Sequence, residues 1–297
     1  MNETNPPVAM NRVMAVLAAG VVAVSFAAIL IRWCAAPPLV IAFYRLLFAS
    51  LFFWITSKRA NLTQLHNLPV KTLRWGGLAG IALAMHFATW ITSLNHTSVA
   101  NSVVLVATSP IFVALGARFI LGETARPLLY WGLLLAFAGA AVITSQEADS
   151  GNNSLLGNLL ALAGALFAGI YFLIGRKLRQ EMDTAPYVTL CYSAAAIILL
   201  LGVLIMRLPL FDYSWQTFAT FLALALIPQV IGHTSFNWAL KHLSAPTVSI
   251  ALLGEPIGAS LLAFFFFKEE LGTTTMFGGS LTLLGVALAI FSERGKA

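Results

Sequence analysis

Apolar residues in this chain do not alternate with polar ones. They come in long runs of about twenty residues, separated by short polar stretches. Ten runs can be marked off: 13–31, 38–57, 75–94, 100–121, 128–145, 155–175, 186–206, 215–236, 244–267 and 275–291. A helix of about 20 apolar residues crosses a hydrocarbon core about 30 Å thick. Lipid offers no partner to a backbone N–H or C=O, so runs this apolar must be helices. The expected fold is therefore all-α: a polytopic membrane protein with ten transmembrane helices. The first run is long enough to be read as a retained span rather than a cleaved leader.

Composition agrees with the pattern. The chain is 59% hydrophobic and 9% charged, against about 25% charged in a soluble domain. Cys34 and Cys191 fall in different runs, so neither a disulfide framework nor a metal site is expected. The net charge of +6 would suit nucleic acid if it were concentrated. It is instead spread over short loops. With the N-terminus inside, 13 of the 17 Lys and Arg residues fall on the cytoplasmic side. Arg32, Arg207 and Lys268 fall opposite, and Arg45 lies within a run. That asymmetry predicts cytoplasmic termini in a cell inner membrane and no nucleic-acid partner.

A shift of 146 residues superposes the third and fourth runs on the eighth and ninth without a gap, and the fifth on the tenth. His96 meets His242, Pro110 meets Pro256, Glu123 meets Glu269, Gly132 meets Gly278 and Gly139 meets Gly285. Five runs separate the partners, so the copies must insert with opposite orientation. The expectation is two five-helix inverted-topology repeats, 1–146 and 155–297, joined by a polar loop at 147–154. Such repeats recur in secondary transporters, with the substrate site near the midplane between them.

Glu255 is the strongest single indication of such a site. It lies roughly 15 Å from the nearer end of its run at about 1.5 Å of rise per residue. A carboxylate at that depth must be neutralised, paired or hydrated in a cavity. Arg45 lies some 10 Å inside the second run; it either snorkels to the interface or faces the cavity and holds a carboxylate. His86 and Trp90 are four apart on one helix face, and His233 and Asn237 repeat that spacing beside Trp238. Each of these could equally make structural hydrogen bonds between helices. Pro110 and Pro256 sit inside runs, where each removes a backbone donor and disturbs the carbonyl four residues back. They are read as helix breaks with a gating role. Small-residue stripes at Gly76, Gly80 and Ala84, and at Ala161, Ala165 and Gly169, suit close helix approach.

Several motifs carry a resemblance. They are Tyr44-Arg45-Leu46, Thr108-Ser109-Pro110, Leu121-Gly122-Glu123, and the run from Gly232-His233-Thr234-Ser235-Phe236-Asn237-Trp238 to Gly254-Glu255-Pro256. With them the chain resembles the EamA-type, ten-span branch of the drug/metabolite transporter superfamily over nearly its whole length. The second Leu-Gly-Glu element departs from the pattern and reads Phe267-Lys268-Glu269. The resemblance implies a gradient-driven carrier, usually an exporter of small metabolites, and YddG-like relatives export aromatic and other amino acids.

The expected function is a secondary transporter of a small-molecule substrate, with no cofactor and with protons as a candidate coupling ion. One buried cation and one buried carboxylate suit a zwitterion, hence amino acids with aromatic or apolar side chains. An exporter of lipophilic cations is the alternative substrate class. An intramembrane enzyme is the alternative from another class, but the chain has no H-E-x-x-H, G-x-S-x-G or phosphate-loop motif. The sequence leaves the oligomeric state open.

Overall fold

A computed structural model describes residues 9–97, 102, 105–123, 126–145, 155–267 and 273–292. The expected connecting loop at 147–154, the Lys268-Glu269 element, and Arg294 and Lys296 lie outside the described residues. Regular structure among the described residues is helical. The helices are α1 (Met10–Trp33), α2 (Pro38–Thr56), α3 (Lys58–His66), α4 (Val70–Ser93), α5 (Ser109–Ile120), α6 (Pro127–Ser145), α7 (Leu155–Leu178) and α8 (Thr184–Ile205). Then come α9 (Trp215–Leu224), a π-helical segment (Ala225–His233), α10 (Thr234–Ala239), α11 (Ala245–Ala251), a 3₁₀ turn (Leu252–Gly254), α12 (Glu255–Phe267) and α13 (Thr273–Phe291).

Among the described residues, five helical stretches are long and apolar enough to cross a membrane: α1, α2, α7, α8 and the continuous Trp215–Ala239. Ser109–Ile120, Pro127–Gly139 and Met276–Phe291 are shorter apolar helices. The outer surface fits lipid rather than water. Phe119, Ile205 and Phe265 are 78%, 80% and 73% exposed, and exposed apolar area on this scale marks a surface meant to be covered.

Proline places most of the breaks. Pro38 and Pro127 open their helices as first residue, while Pro110, Pro246 and Pro256 stand second. The missing N–H there belongs to the first turn, where it would have no intrahelical partner anyway. Three apolar runs, the fourth, eighth and ninth, are thus interrupted. The fourth breaks at the turn of Ala107 and Thr108 just before Ser109-Pro110. The eighth passes through the π segment at Pro228, where i→i+5 bonding accommodates the lost donor. The ninth passes through the 3₁₀ turn just before Pro256, so the Leu252 carbonyl need not meet the proline ring. The short helix α3, between the second and third runs, is mostly polar and so leaves no mark in the apolar pattern.

Helix packing follows the small residues. A Cβ on Gly80 of α4 would stand 2.6 Å from the Cys191 carbonyl oxygen of α8, and α4 packs against both α7 and α8. Helix α1 lies against the π segment and α12, and α2 against α8. Helices α6 and α13 run antiparallel along a glycine seam. Gly132 faces Gly285, where an added Cβ would stand 2.7 Å from the carbonyl oxygen, and Gly139 faces Gly278. Between these pairs the Thr282 hydroxyl approaches the Ala136 carbonyl at 3.4 Å. Each of these three contacts maps onto itself or onto another under the 146-residue shift.

Candidate functional site: a cavity between broken helices

A cavity of about 790 Å³, its open mouth included, lies where the broken helices meet. It is lined from six directions. Val24 and Ala27 come from α1, Arg45 from α2, His86 and Trp90 from α4, Ala168, Tyr171 and Phe172 from α7, and His233 from the π segment. The sixth direction is the pair of broken helices. Val106, Ala107 and Ser109 precede or open α5, and Leu252, Leu253 and Glu255 precede or open α12. These two triplets are the same positions under the 146-residue shift, so each interruption contributes alike to the wall. Ser109 and Glu255 are matched, and each stands immediately before its proline.

Arg45 is 1% exposed. Its guanidinium carbon stands 4.3 Å from the centroid of the Phe87 ring, a cation–π distance. Its Nε donates to Gln229 Oε1 at 2.8 Å. His86 is held through Nδ1 against the Gly164 carbonyl at 2.9 Å and stacks on Trp90, with centroids 5.9 Å apart and planes 10° from parallel. His233 sets its ring edge-on to Phe87 at 5.5 Å. Three buried polar atoms of the cavity wall have no hydrogen-bond partner among the described residues: the donors Arg45 Nη1 and Trp90 Nε1, and His233 Nδ1, which donates or accepts according to its tautomer. A buried donor without a partner is costly, so a cluster of them beside a cavity marks a place where another molecule's acceptor belongs.

Asn237 does not reach the cavity wall. It is fully buried behind Tyr171, whose hydroxyl donates to Asn237 Oδ1 at 2.8 Å. Its Nδ2 donates to the Tyr192 hydroxyl at 3.3 Å, and that hydroxyl meets Thr234 Oγ1 at 3.1 Å. Trp238 points elsewhere and packs on His242 with ring centroids 4.5 Å apart. Pro256 lines the cavity and Pro110 does not. Gln229 is the residue that sequence reasoning passed over, and Tyr171, which as a lone mid-span aromatic reads as packing, lines the cavity. Gln229 could have been found by running the His233–Asn237 spacing back one more step of four.

At the end of the bundle that holds the C-terminus of α7, a second polar group closes the structure. Gly122, at φ +67°, ends α5 in the left-handed region and lets the Glu123 N–H return to the Ala117 carbonyl at 3.0 Å. Glu123 Oε1 then accepts from Arg176 Nε at 2.7 Å, and Arg176 Nη1 donates to the Leu240 carbonyl at 2.6 Å. Beside it Arg179 donates to the carbonyl of Asn237 at 3.0 Å, to that of Met182, and to Thr184 Oγ1 at 2.6 Å. Burial lowers the pKa of this guanidinium to about 10, well above neutrality, so Arg179 holds all three acceptors as a cation.

A helical bundle with an apolar exterior, and between its interrupted helices a largely apolar cavity carrying a buried arginine, a glutamate and two histidines, has the make-up of a membrane transport protein. Residues 11–145 and 155–291 both match the EamA-like transporter family. The chain belongs to that family, and with it to the drug/metabolite transporter superfamily. An uncharacterized transporter of Archaeoglobus fulgidus is 26% identical over 257 residues, covering 84% of this chain and 87% of that protein. The uncharacterized transporter YwfM of Bacillus subtilis is 29% identical over 77% of each chain. A protein of Streptantibioticus cattleyicolor named a probable terminal-alkyne amino-acid exporter is 28% identical over 65% of this chain and 64% of its own. A solved crystal structure superposes with a TM-score of 0.80 at 19% identity, covering 97% of this chain and 99% of the other; it shares the fold.

Proposed function

We propose that this chain is a secondary carrier that exports small zwitterionic metabolites by alternating access, its substrates being amino acids with aromatic or apolar side chains. The observation that carries the reading is the make-up of the cavity. One guanidinium, Arg45, and one carboxylate, Glu255, share a space walled by Trp90, Phe172, Tyr171 and aliphatic side chains. A zwitterion brings an opposite charge to each, and its side chain replaces water against the apolar wall. The Streptantibioticus relative's name, that of an amino-acid exporter, points the same way.

In this reading the chain spans the inner membrane ten times, with both termini cytoplasmic, as inverted repeats 1–146 and 155–297. The matched triplets of the cavity wall, the glycine seam and the two family matches support that division. The two halves rock about the interruptions at Pro110 and Pro256. Arg45, His86, Trp90, His233 and Glu255 meet the substrate, while Asn237 supports the wall from behind Tyr171 and Trp238 packs away from it on His242. Glu255 couples occupancy, or a proton, to the exchange between outward and inward states.

The test is uptake into proteoliposomes of labelled phenylalanine, leucine, an organic cation and a sugar, with and without an imposed proton gradient. Gradient-stimulated uptake of the amino acids is expected. Glu255→Gln keeps size and most hydrogen-bonding capacity but removes charge and titration; it should fold and lose gradient-driven uptake. Wild-type uptake by that variant between about pH 5.5 and 8 would make Glu255 structural. Uptake of the cation alone would move the substrate class to lipophilic cations.

A further inference from the structure

Arg45 is presented to the cavity in an unusual way, and Gln229 is the reason. A guanidinium has five N–H donors and no acceptor, so the atom that meets Arg45 Nε at 2.8 Å must be the amide oxygen of Gln229. That bond fixes the amide orientation and turns Gln229 Nε2 toward the Tyr192 hydroxyl. It also occupies the Nε side of the fork. The Nε bond is the one hydrogen bond Arg45 makes among the described residues, so the terminal edge formed by the two Nη atoms remains available. Phe87 covers one face of the guanidinium, and the N–H groups that need an acceptor point outward in its plane.

The residue that does this is neutral. A carboxylate in place of Gln229 would grip Nε more strongly but would cancel the charge of Arg45. Glutamine supplies the acceptor and leaves that charge for a ligand. The arrangement is also well supported from behind. Gln229 is fully buried in the π segment, whose carbonyl at Gln229 accepts from Thr234 Oγ1 at 3.2 Å. Trp90 Nε1, in the same cavity, is a further buried donor with no partner among the described residues. Glu255 lines the same cavity and acts on Arg45 through its field, with no hydrogen bond between them among the described residues. The unpartnered Arg45 and Trp90 atoms are donors, and the ligand group that answers a planar pair of N–H donors is a carboxylate.

We infer that Gln229 is a positioning residue that sets the terminal edge of Arg45 as the receptor for the substrate's carboxylate, making a carboxylate group, rather than an amine alone, the feature the site selects. The inference rests on the cavity being the substrate site of the proposed carrier.

The experiment uses the full chain in lipid nanodiscs and four probes that share one side chain: L-phenylalanine, 3-phenylpropionate, L-phenylalaninamide and phenethylamine. Binding is read by isothermal titration to the wild type, Gln229→Glu and Gln229→Met. In the wild type, the two carboxylate-bearing probes should bind about tenfold or more tighter than the two without it. Gln229→Glu is nearly isosteric and keeps the acceptor. It should weaken both carboxylates by about tenfold or more while leaving phenethylamine unchanged or tighter. Gln229→Met frees the guanidinium and should weaken the carboxylates by less. A wild type that binds the amide and amine as well as the acids overturns the inference by itself, so a misfolded variant does not shelter it. Equal weakening of all four probes by Gln229→Glu also overturns it, since a purely structural role would act that way. Carboxylate-selective binding without transport of labelled phenylalanine would instead retain the inference and defeat the exporter reading. Transport of phenylalanine with no carboxylate selectivity would do the reverse.

Discussion

At the scale of single residues, the polar side chains divide into those that touch the cavity and those that hold the first group in place, and substitution should tell them apart. Trp90→Ala removes a wall and an unpaired donor, so uptake of an aromatic amino acid should fall by about tenfold or more, read as a raised KM. Asn237→Ala removes a buried side chain bonded to both Tyr171 and Tyr192. That should cost about 1–3 kcal/mol of stability, visible as a lower melting temperature in detergent, with a smaller effect on KM than Trp90→Ala. Much of this was legible in the sequence, because a charged or hydrogen-bonding side chain deep in an apolar run has few reasons to be there. Arg45, His86, Trp90, His233 and Glu255 all come to one cavity on that argument. The argument says nothing about which way a side chain faces once the helix departs from α geometry. Spacing by four placed Asn237 with His233, but the π segment that ends at His233 widens each turn and shifts the phase of the residues beyond it. Gln229 stayed hidden because an uncharged polar residue in an apolar run raises no electrostatic alarm; its role emerges only opposite Arg45.

At the scale of elements, the helices are positioned by proline at their openings and glycine along their contacts. Gly77 and Gly80 make a controlled comparison on one helix. A Cβ at Gly77 would meet nothing within 4 Å, whereas at Gly80 it would meet Ala194 Cβ and the Cys191 carbonyl oxygen at 2.6 Å. Backbone cannot yield as a flexible side chain can, so Gly80→Leu should abolish a monodisperse peak in detergent gel filtration while Gly77→Leu leaves it intact. The periodicity of small residues in the sequence did announce such faces, and the apolar runs announced most of the helices. The break at Pro256 was expected from the sequence, whereas the π segment around Pro228 went unannounced. A proline inside an apolar run reads equally as a passive kink or as a new helix start, and only the neighbours that accept the freed carbonyl decide between them.

At the scale of the whole molecule, the Glu123–Arg176 pair ties the end of α5 to the end of α7 and, through the Leu240 carbonyl, to the connection after α10. Both charged side chains are about one-fifth exposed, at 21% and 22%, so the pair is weak enough to open during a transport cycle. Glu123→Gln should favour states open at this end. The measurement is maleimide labelling of a cysteine introduced at Ala168, in a Cys34→Ser, Cys191→Ala background. Faster labelling through this end than in the Glu123 parent is expected, and an unchanged rate would make the pair a passive surface contact.

The seam between α6 and α13 has a consequence of its own. Gly132 opposes Gly285 and Gly139 opposes Gly278, with Ala136 and Thr282 between them. An interface in which residue i meets j while the counterpart of i meets the counterpart of j is isologous, the kind that joins two identical subunits. Here it is internal to one polypeptide. The two surfaces are nearly interchangeable in shape, but in the proposed inverted topology only the opposite half offers each one an antiparallel mate. Residues 1–146 and 147–297 produced as separate chains should therefore reassemble in the membrane. Gly132→Leu should do the same damage to that reassembly as Gly278→Leu, although the two lie on different fragments.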